Sequence, residues 1–135
     1  NRNGYGVQTF TAGPWIGDRF AGQYANGMKN GYGVLVYATN PNNNQNVDRY
    51  EGEFANGLGN GVWITSWHSG KRYAGTTGTD LANGPGVMYL ADGTRLEGQF
   101  TQDTLNGLGV YWDAQGNVTS QGIWSNNNLT TPLSR

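Results

Sequence analysis

The stretch RYEGEFANGLGNGVWITSW, residues 49–67, contains the pattern that decides the fold. Tyr50, Gly52 and Phe54 alternate with two glutamates, and an alternation with a period of two is typical of a β-strand. The segment ANGLGNG that follows is rich in Asn and Gly, which tolerate the positive φ angles of turns. GVWITSW then returns as a second strand. The stretch therefore predicts a β-hairpin.

The same pattern recurs along the chain. A four-residue motif consists of Arg, an aromatic residue or Leu, any residue, and Gly. It begins at residues 19, 49, 72 and 95, at intervals of 30, 23 and 23. The dipeptide NG follows each start eleven residues later, and a further NG begins at Asn3. The seven extra residues of the long interval lie in the Asn-rich segment 38–48, where a predicted hairpin tip accepts an insertion. The chain is therefore a repeat array.

The intervals divide the chain into units near 3–18, 19–48, 49–71, 72–94 and 95–118, a partial unit at 119–127 and a tail at 128–135. We expect the turns HSGK, ADGT and DAQGN to join one hairpin to the next. The Asn residues of the tail and Pro132 do not favour a strand, so the tail is expected to cap the array. The strand near Tyr5 and Val7 would leave an open edge, to be covered by a second copy of the chain or by a preceding segment.

Glycine and aromatic residues alternate in a way that suggests mutual packing. Glycine lacks the Cβ that would keep a ring off the sheet, so rings are predicted to seat on Gly31, Gly33, Gly84, Gly86, Gly107 and Gly109. The complete set of predicted structural glycines is Gly22, Gly31, Gly33, Gly52, Gly75, Gly84, Gly86, Gly98, Gly107 and Gly109. The opposite parity carries a second apolar stripe, which comprises Val34, Val36, Val62, Ile64, Val87 and Val110.

Composition excludes several classes of protein. A net charge of −1 provides no field to attract nucleic acid or anionic lipid. No run of eighteen apolar residues exists, so no transmembrane helix is expected. The chain contains no Cys, which removes disulfides and thiolate metal sites. The compartment stays open, with the cytoplasm slightly favoured for a soluble chain.

The units resemble MORN repeats. RFAGQYANGMKNGYG, residues 19–33, follows that pattern almost throughout, and the resemblance extends from residue 3 to about 127. Trp63 replaces the second Gly of the GxG motif, Thr77 replaces an aromatic residue, and Leu96 replaces the first ring. The resemblance implies an all-β fold, an elongated, twisted single-layer antiparallel sheet of successive hairpins. It also implies an attachment or scaffolding role without a catalytic motif.

The residues themselves offer little for catalysis. His68 is the only histidine and lies in a predicted turn, where a solvated side chain is expected. Glu51 and Glu53 share one strand face, but this pair follows from the repeat and predicts a solvated surface. One histidine and scattered carboxylates do not make a metal site. We expect no enzyme activity, no cofactor and no metal.

Two patterns suggest binding. Arg19, Arg49, Arg72 and Arg95 should form a ladder opposite the rings, paired with acids on neighbouring strands. A surplus of aromatic residues could line a groove for a protein segment, either helix or strand. The candidate groove comprises Phe20, Tyr24, Tyr50, Phe54, Trp63, Trp67, Tyr73, Phe100, Tyr111 and Trp124. Core packing is the competing explanation for these rings.

The expected function is non-catalytic protein–protein interaction or scaffolding, with homodimerisation through a sheet edge as one possible arrangement. The Trp and Asn content leaves a glycan- or cell-envelope-binding repeat as an alternative. Binding to phosphoinositides or a membrane surface is the weaker alternative, because the net charge of −1 opposes it. Nucleic acid is not an expected partner.

Overall fold

The computed structural model describes residues 3–13, 16–38, 47–78 and 81–134. This part of the chain forms eleven strands and no helix. The strands are β1 (Gly4–Thr9), β2 (Arg19–Ala25), β3 (Met28–Val36), β4 (Val47–Ala55), β5 (Leu58–Trp67), β6 (Arg72–Gly78), β7 (Leu81–Tyr89), β8 (Arg95–Thr101), β9 (Thr104–Trp112), β10 (Val118–Ser125) and β11 (Asn128–Pro132). They pair in chain order as one antiparallel sheet. The predicted all-β hairpin array is confirmed.

Tight turns close the hairpins at one side of the sheet. Asn26–Gly27 joins β2 to β3 and Asn56–Gly57 joins β4 to β5, and all four residues have positive φ. Two such residues form the type of turn whose twist matches paired strands. The second NG of the quoted stretch is not a turn, contrary to prediction. Gly61 lies within β5, with φ of +107°.

A row of glycines crosses the sheet. Gly22 pairs with Gly33, Gly33 with Gly52, and the succession continues through nearly every strand. The glycines of the row are Gly6, Gly22, Gly33, Gly52, Gly75, Gly86, Gly98, Gly109 and Gly122. Trp63 stands in the row between Gly52 and Gly75. On one side of the sheet this row provides a flat strip of backbone for neighbouring rings.

Each hairpin contains a register shift next to this row. In β2 and β3, Gly22 opposes Gly33, but Tyr24 opposes Lys29, so the second strand carries extra residues. Gly31 lies in the middle of that irregular stretch with φ of +95°. A bulge needs such a conformation, which glycine adopts without the steric cost of a Cβ. Gly61, Gly84 and Gly107 hold the equivalent positions in later hairpins.

The core divides into two clusters on the ring side of the sheet. The first extends from Phe20 to Trp63 and the second from Tyr73 to Trp124, and half-buried Trp67 packs against both. Within the first cluster, Phe20 makes edge-to-face contacts with Tyr24 and with Phe54 at centroid distances of 5.2 and 5.1 Å. Such pairs stabilise a core beyond their area alone.

The C-terminal tail is a strand, which corrects the prediction. Residues Asn128–Pro132 form β11 and pair with β10. Pro132 is tolerated because β11 is an edge strand, where a missing N–H breaks no ladder hydrogen bond. The unit boundaries and the capping role of 128–135 stay predictions. Most of the Asn-rich segment 38–48, namely residues 39–46, lies outside the described residues.

Candidate binding surface

The ten rings predicted to line a groove are mostly core residues. Those of Phe20, Tyr24, Tyr50, Phe54, Trp63, Tyr73, Phe100 and Trp124 are buried. Trp67 and Tyr111 are half-buried and pack against the core. The structure therefore does not place the eight buried rings in an open groove. Rings from adjacent strands close over the glycine row and over one another, which leaves no face of these rings for a ligand.

The glycine seats are confirmed at some positions and wrong at others. A Cβ on Gly33 would overlap the Phe20 ring, and a Cβ on Gly86 would overlap the Tyr73 ring. At Gly109 the neighbour is the side chain of Leu105 instead of a ring. A Leu contact at this seat is consistent with the sequence of the unit, in which Leu96 replaces the first aromatic residue.

Three predicted seats hold no ring. Gly31, Gly84 and Gly107 face Gln23, Thr76 and Gln99, respectively, which are polar side chains of the neighbouring strand. These glycines are required for their positive φ at the bulge, so the GxG motif has two different functions. Its first Gly permits the register shift, and its second provides the seat.

Trp63 shows how the array accommodates a missing seat. Its indole lies against Gly52 and Gly59, and its ring packs between Tyr50 and Phe54 at centroid distances of 4.4 and 5.0 Å. The indole Nε1 donates a hydrogen bond to the Glu53 carbonyl. Trp63 therefore supplies its own ring where the other hairpins leave glycine.

The opposite face of the sheet carries an uncovered apolar surface. Its large exposed hydrophobic side chains are Tyr5, Val7, Tyr32, Val36, Val62, Ile64, Tyr89, Leu108 and Ile123. Register places them on one side because directly paired residues point to the same face. The predicted second apolar stripe is thus confirmed, with three of its members in this set. The predicted groove does not include five of these exposed residues, namely Tyr5, Tyr32, Tyr89, Leu108 and Ile123. The alternation of the sequence places them opposite the rings, and this signal could have identified them.

Register arranges the side chains of this face in three rows across the strands, a floor between two rims, and we call these three rows the trough. Its floor is the row Val7, Ala21, Val34, Glu51, Ile64, Ala74, Val87, Glu97, Val110 and Gln121. One rim begins with Tyr5, Gln23 and Tyr32, and the other carries the four arginines. A groove of about 730 Å³ opens at the β1 end between Tyr5 and Tyr32, with Ala21 and Val34 in its lining. A smaller one of about 310 Å³ includes Leu108 and Val110.

Along the arginine rim, arginines with an ion pair alternate with arginines that have none in the described part of the chain. Arg49 Nε lies 2.6 Å from Glu51 Oε1, and Arg95 Nε lies 3.9 Å from Glu97 Oε2. These pairs join residues two apart on one strand, so the predicted pairing across strands is wrong. Ala21 and Ala74 occupy the corresponding positions beside Arg19 and Arg72. Among the described residues, no ion pair forms at Arg19 or Arg72.

Two arginines of this rim stack on aromatic side chains. The guanidinium of Arg72 lies 5.0 Å from the centroid of Tyr89, and that of Arg95 lies 4.5 Å from the centroid of Trp112. Both pairs are direct cross-strand neighbours. Stacking on an aromatic face fixes the cation without neutralising its charge.

The family model of the MORN repeat matches five segments, residues 1–14, 20–40, 50–65, 80–95 and 97–118. Together these segments cover more than half of the chain. The chain belongs to the MORN repeat family. Its sheet of successive hairpins agrees with this membership, and the chain is a repeat module. No curated protein matches it.

Catalytic features are sparse on this MORN repeat sheet. His68 is exposed in the turn after β5, with Nδ1 3.6 Å from Asp48 Oδ1. No cluster of three metal-ligating side chains occurs within residues 3–13, 16–38, 47–78 and 81–134. Nor does this portion include a helix long and apolar enough to cross a membrane.

The shifted pKa values on this MORN repeat sheet have local structural causes. The pKa of Tyr32 is raised because its hydroxyl donates to Glu53 Oε1 at 2.9 Å. Hydrogen bonds from Thr94 lower the pKa of Asp92, and those from Asn117 lower the pKa of Asp113. Both carboxylates organise hairpin turns, where an acceptor for backbone N–H groups fixes the loop.

Proposed function

We propose that this chain is a non-catalytic module for protein–protein interaction, and that its partner binds in the trough. The observation that carries the proposal is the exposure of nine large hydrophobic side chains on one face of a single-layer sheet. Exposed apolar side chains that gather on one face of a folded chain are typical of an interaction site. Side chains such as Tyr5 and Leu108, which are 81% and 61% exposed, would be buried by a partner.

Two rival ligands fit this surface less well. A glycan-binding site would use exposed aromatic rings for stacking, but six of the nine exposed side chains of this face are aliphatic, and the Tyr89 ring is already stacked by Arg72. A phosphoinositide or membrane surface would favour a concentrated positive charge. Here Glu51 and Glu97 neutralise half of the arginine rim.

The test compares the chain with a face variant that carries Val34→Thr, Val62→Thr and Leu108→Gln. These positions lie in the trough and outside the core clusters. Immobilised wild-type chain should capture specific proteins from an extract that the face variant does not capture, as measured by quantitative mass spectrometry. Equal capture by both chains, or binding only on a glycan array or to phosphoinositide vesicles, would overturn the proposal.

A sheet edge provides a second candidate contact. Within the described residues, β1 pairs only with β2. The Phe10 N–H donates inward to the Asp18 carbonyl, so alternation turns the backbone groups of Tyr5, Val7 and Thr9 outward. We propose that a second copy pairs with β1 here, because antiparallel pairing about Val7 is compatible with two-fold symmetry.

Light scattering over a concentration series tests this dimer. We expect the mass to double at high concentration for the wild-type chain and to stay monomeric for Val7→Pro, which removes a central outward N–H. A monomer throughout the series would refute the dimer.

A further inference from the structure

The distance between the two rims of the trough is close to the diameter of an α-helix. Its rims lie two residues to either side of the floor, as Arg19 and Gln23 do about Ala21. Four residues of strand span about 13 Å. A helix with its side chains is about 10–12 Å across. Except at Glu51, Glu97 and Gln121, the floor is made of small or β-branched side chains.

The charges of the trough select the kind of helix. Glu51 and Glu97 are already paired with Arg49 and Arg95, but Arg19 and Arg72 have no ion pair among the described residues. Both of these arginines are exposed. An acidic side chain on a partner would therefore find two available cations at one rim, both next to an apolar stretch of the floor.

The spacing of the two cations sets the spacing of the acids. Arg19 lies on β2 and Arg72 on β6, four strands further along the sheet. Strands about 4.8 Å apart place them about 19 Å apart. On a helix, residues i and i+14 lie about 21 Å apart and on nearly the same side. The arginine side chains are long enough to absorb the difference.

From these relationships we infer that the trough binds an amphipathic α-helix laid across the strands. Its apolar stripe packs on Val34, Ile64 and Val87, and two acidic residues about 14 apart face Arg19 and Arg72. This inference rests on the proposed function and adds the chemistry and orientation of the partner.

The probe is a fluorescein-labelled 22-residue helical peptide with Leu on one stripe and two Glu 14 residues apart on its flank. The control peptide carries Gln in place of the two Glu. Fluorescence anisotropy should show saturable binding of the Glu peptide and about tenfold weaker binding of the Gln peptide. Absence of binding, or equal binding of both peptides, would overturn the inference.

A matched pair of protein variants tests the site. Ala74→Glu gives Arg72 the neighbour that Glu51 provides for Arg49, so the chain already shows that this arrangement fits the fold. This variant should bind the Glu peptide with about tenfold lower affinity. Gln115→Glu adds the same charge in the turn after β9 and should leave the affinity within about twofold. Equal effects of the two variants would overturn the site.

Changes in the NMR signals of backbone amides show where the peptide lies on the sheet. Addition of the Glu peptide should move the NMR signals of the trough residues Ala21, Ile64 and Ala74 more than those of Gly116 or Gly93 in the turns. Shifts confined to the turns would contradict the inference. If the peptide fails but the face variant still loses its captured proteins, the helix is wrong and the proposed function stands.

Discussion

Asp103 and Ala82 exchange two hydrogen bonds across the boundary between neighbouring hairpins. The Ala82 N–H donates to Asp103 Oδ1 at 2.6 Å, and the Asp103 N–H donates to the Ala82 carbonyl at 3.1 Å. Asn127 makes the same reciprocal pair with Leu105, at 2.7 and 3.0 Å. The turn of one hairpin thereby holds the beginning of the second strand in the hairpin before it.

This link predicts different outcomes for two changes at one position. Asp103→Ala removes the acceptor from the buried start of β7 and should lower the free energy of unfolding by about 2 kcal/mol. Asp103→Asn reproduces the group that Asn127 provides and tolerates the positive φ of +68°. It should cost less than about 0.5 kcal/mol. Urea unfolding measures both, and equal losses would show that the hydrogen bond contributes nothing.

The seat under Tyr73 predicts a steric penalty. Gly86→Ala should cost about 2–3 kcal/mol because its methyl group would overlap the ring. Gly116→Ala, at φ of +88° with open space around it, should cost about 1 kcal/mol for backbone conformation alone. In a double-mutant cycle, Tyr73→Ala should recover part of the Gly86→Ala loss. Additive losses in thermal unfolding would exclude the ring-on-glycine contact.

The repeat motif would predict that Gly at position 63 is tolerated, whereas the packing of Trp63 predicts the opposite. Trp63→Gly would restore the GxG pattern, yet it should lower stability by about 3–5 kcal/mol because Tyr50 and Phe54 pack on this indole. Trp63→Phe keeps a ring and should cost less. Chemical denaturation gives both values. A neutral Trp63→Gly variant would mean that another side chain fills the space.

Burial raises the pKa of Tyr73 to about 12, against an ordinary value of 10.0. The side chain of Thr76 opposes this rise only in part. A raised folded-state pKa means that the stabilisation is complete below pH 10 and is lost as pH rises toward 12. The wild-type chain should therefore lose about 2 kcal/mol more than Tyr73→Phe over this interval. Parallel stability curves for the two chains would contradict the assignment.

Much of the fold could be predicted from the sequence because its signals are local and repeated. The alternation in RYEGEF and the fixed interval between repeats identify strands and their order. The failures concern residues whose role depends on a neighbouring strand. Asn60–Gly61 looks like a second turn in the sequence, but pairing with Gly78 and Thr77 of β6 keeps it within β5. Residues 128–132 became a strand because β10 offered an edge to pair with.

The candidate binding surface is harder to predict for the same reason. Sequence parity separates Tyr50 from Glu51, but it does not say which face is covered. The rings were predicted as candidate ligand contacts, whereas packing over the glycine row buries them. The pairing of Arg49 with Glu51 instead of an acid on the next strand also depends on side-chain geometry that parity does not provide.

The two-strand unit has a consequence for how such arrays change in evolution. A register shift occurs inside every hairpin, whereas four of the five strand pairs that join successive hairpins have none, the exception being β9 with β10. Duplication or deletion of one 23-residue unit would therefore preserve the width of the trough and change its length by about 10 Å. That increment corresponds to six or seven residues of helix. For the proposed helix-binding role, copy number would set the length of helix that the trough accepts, without any change in the residues that contact it.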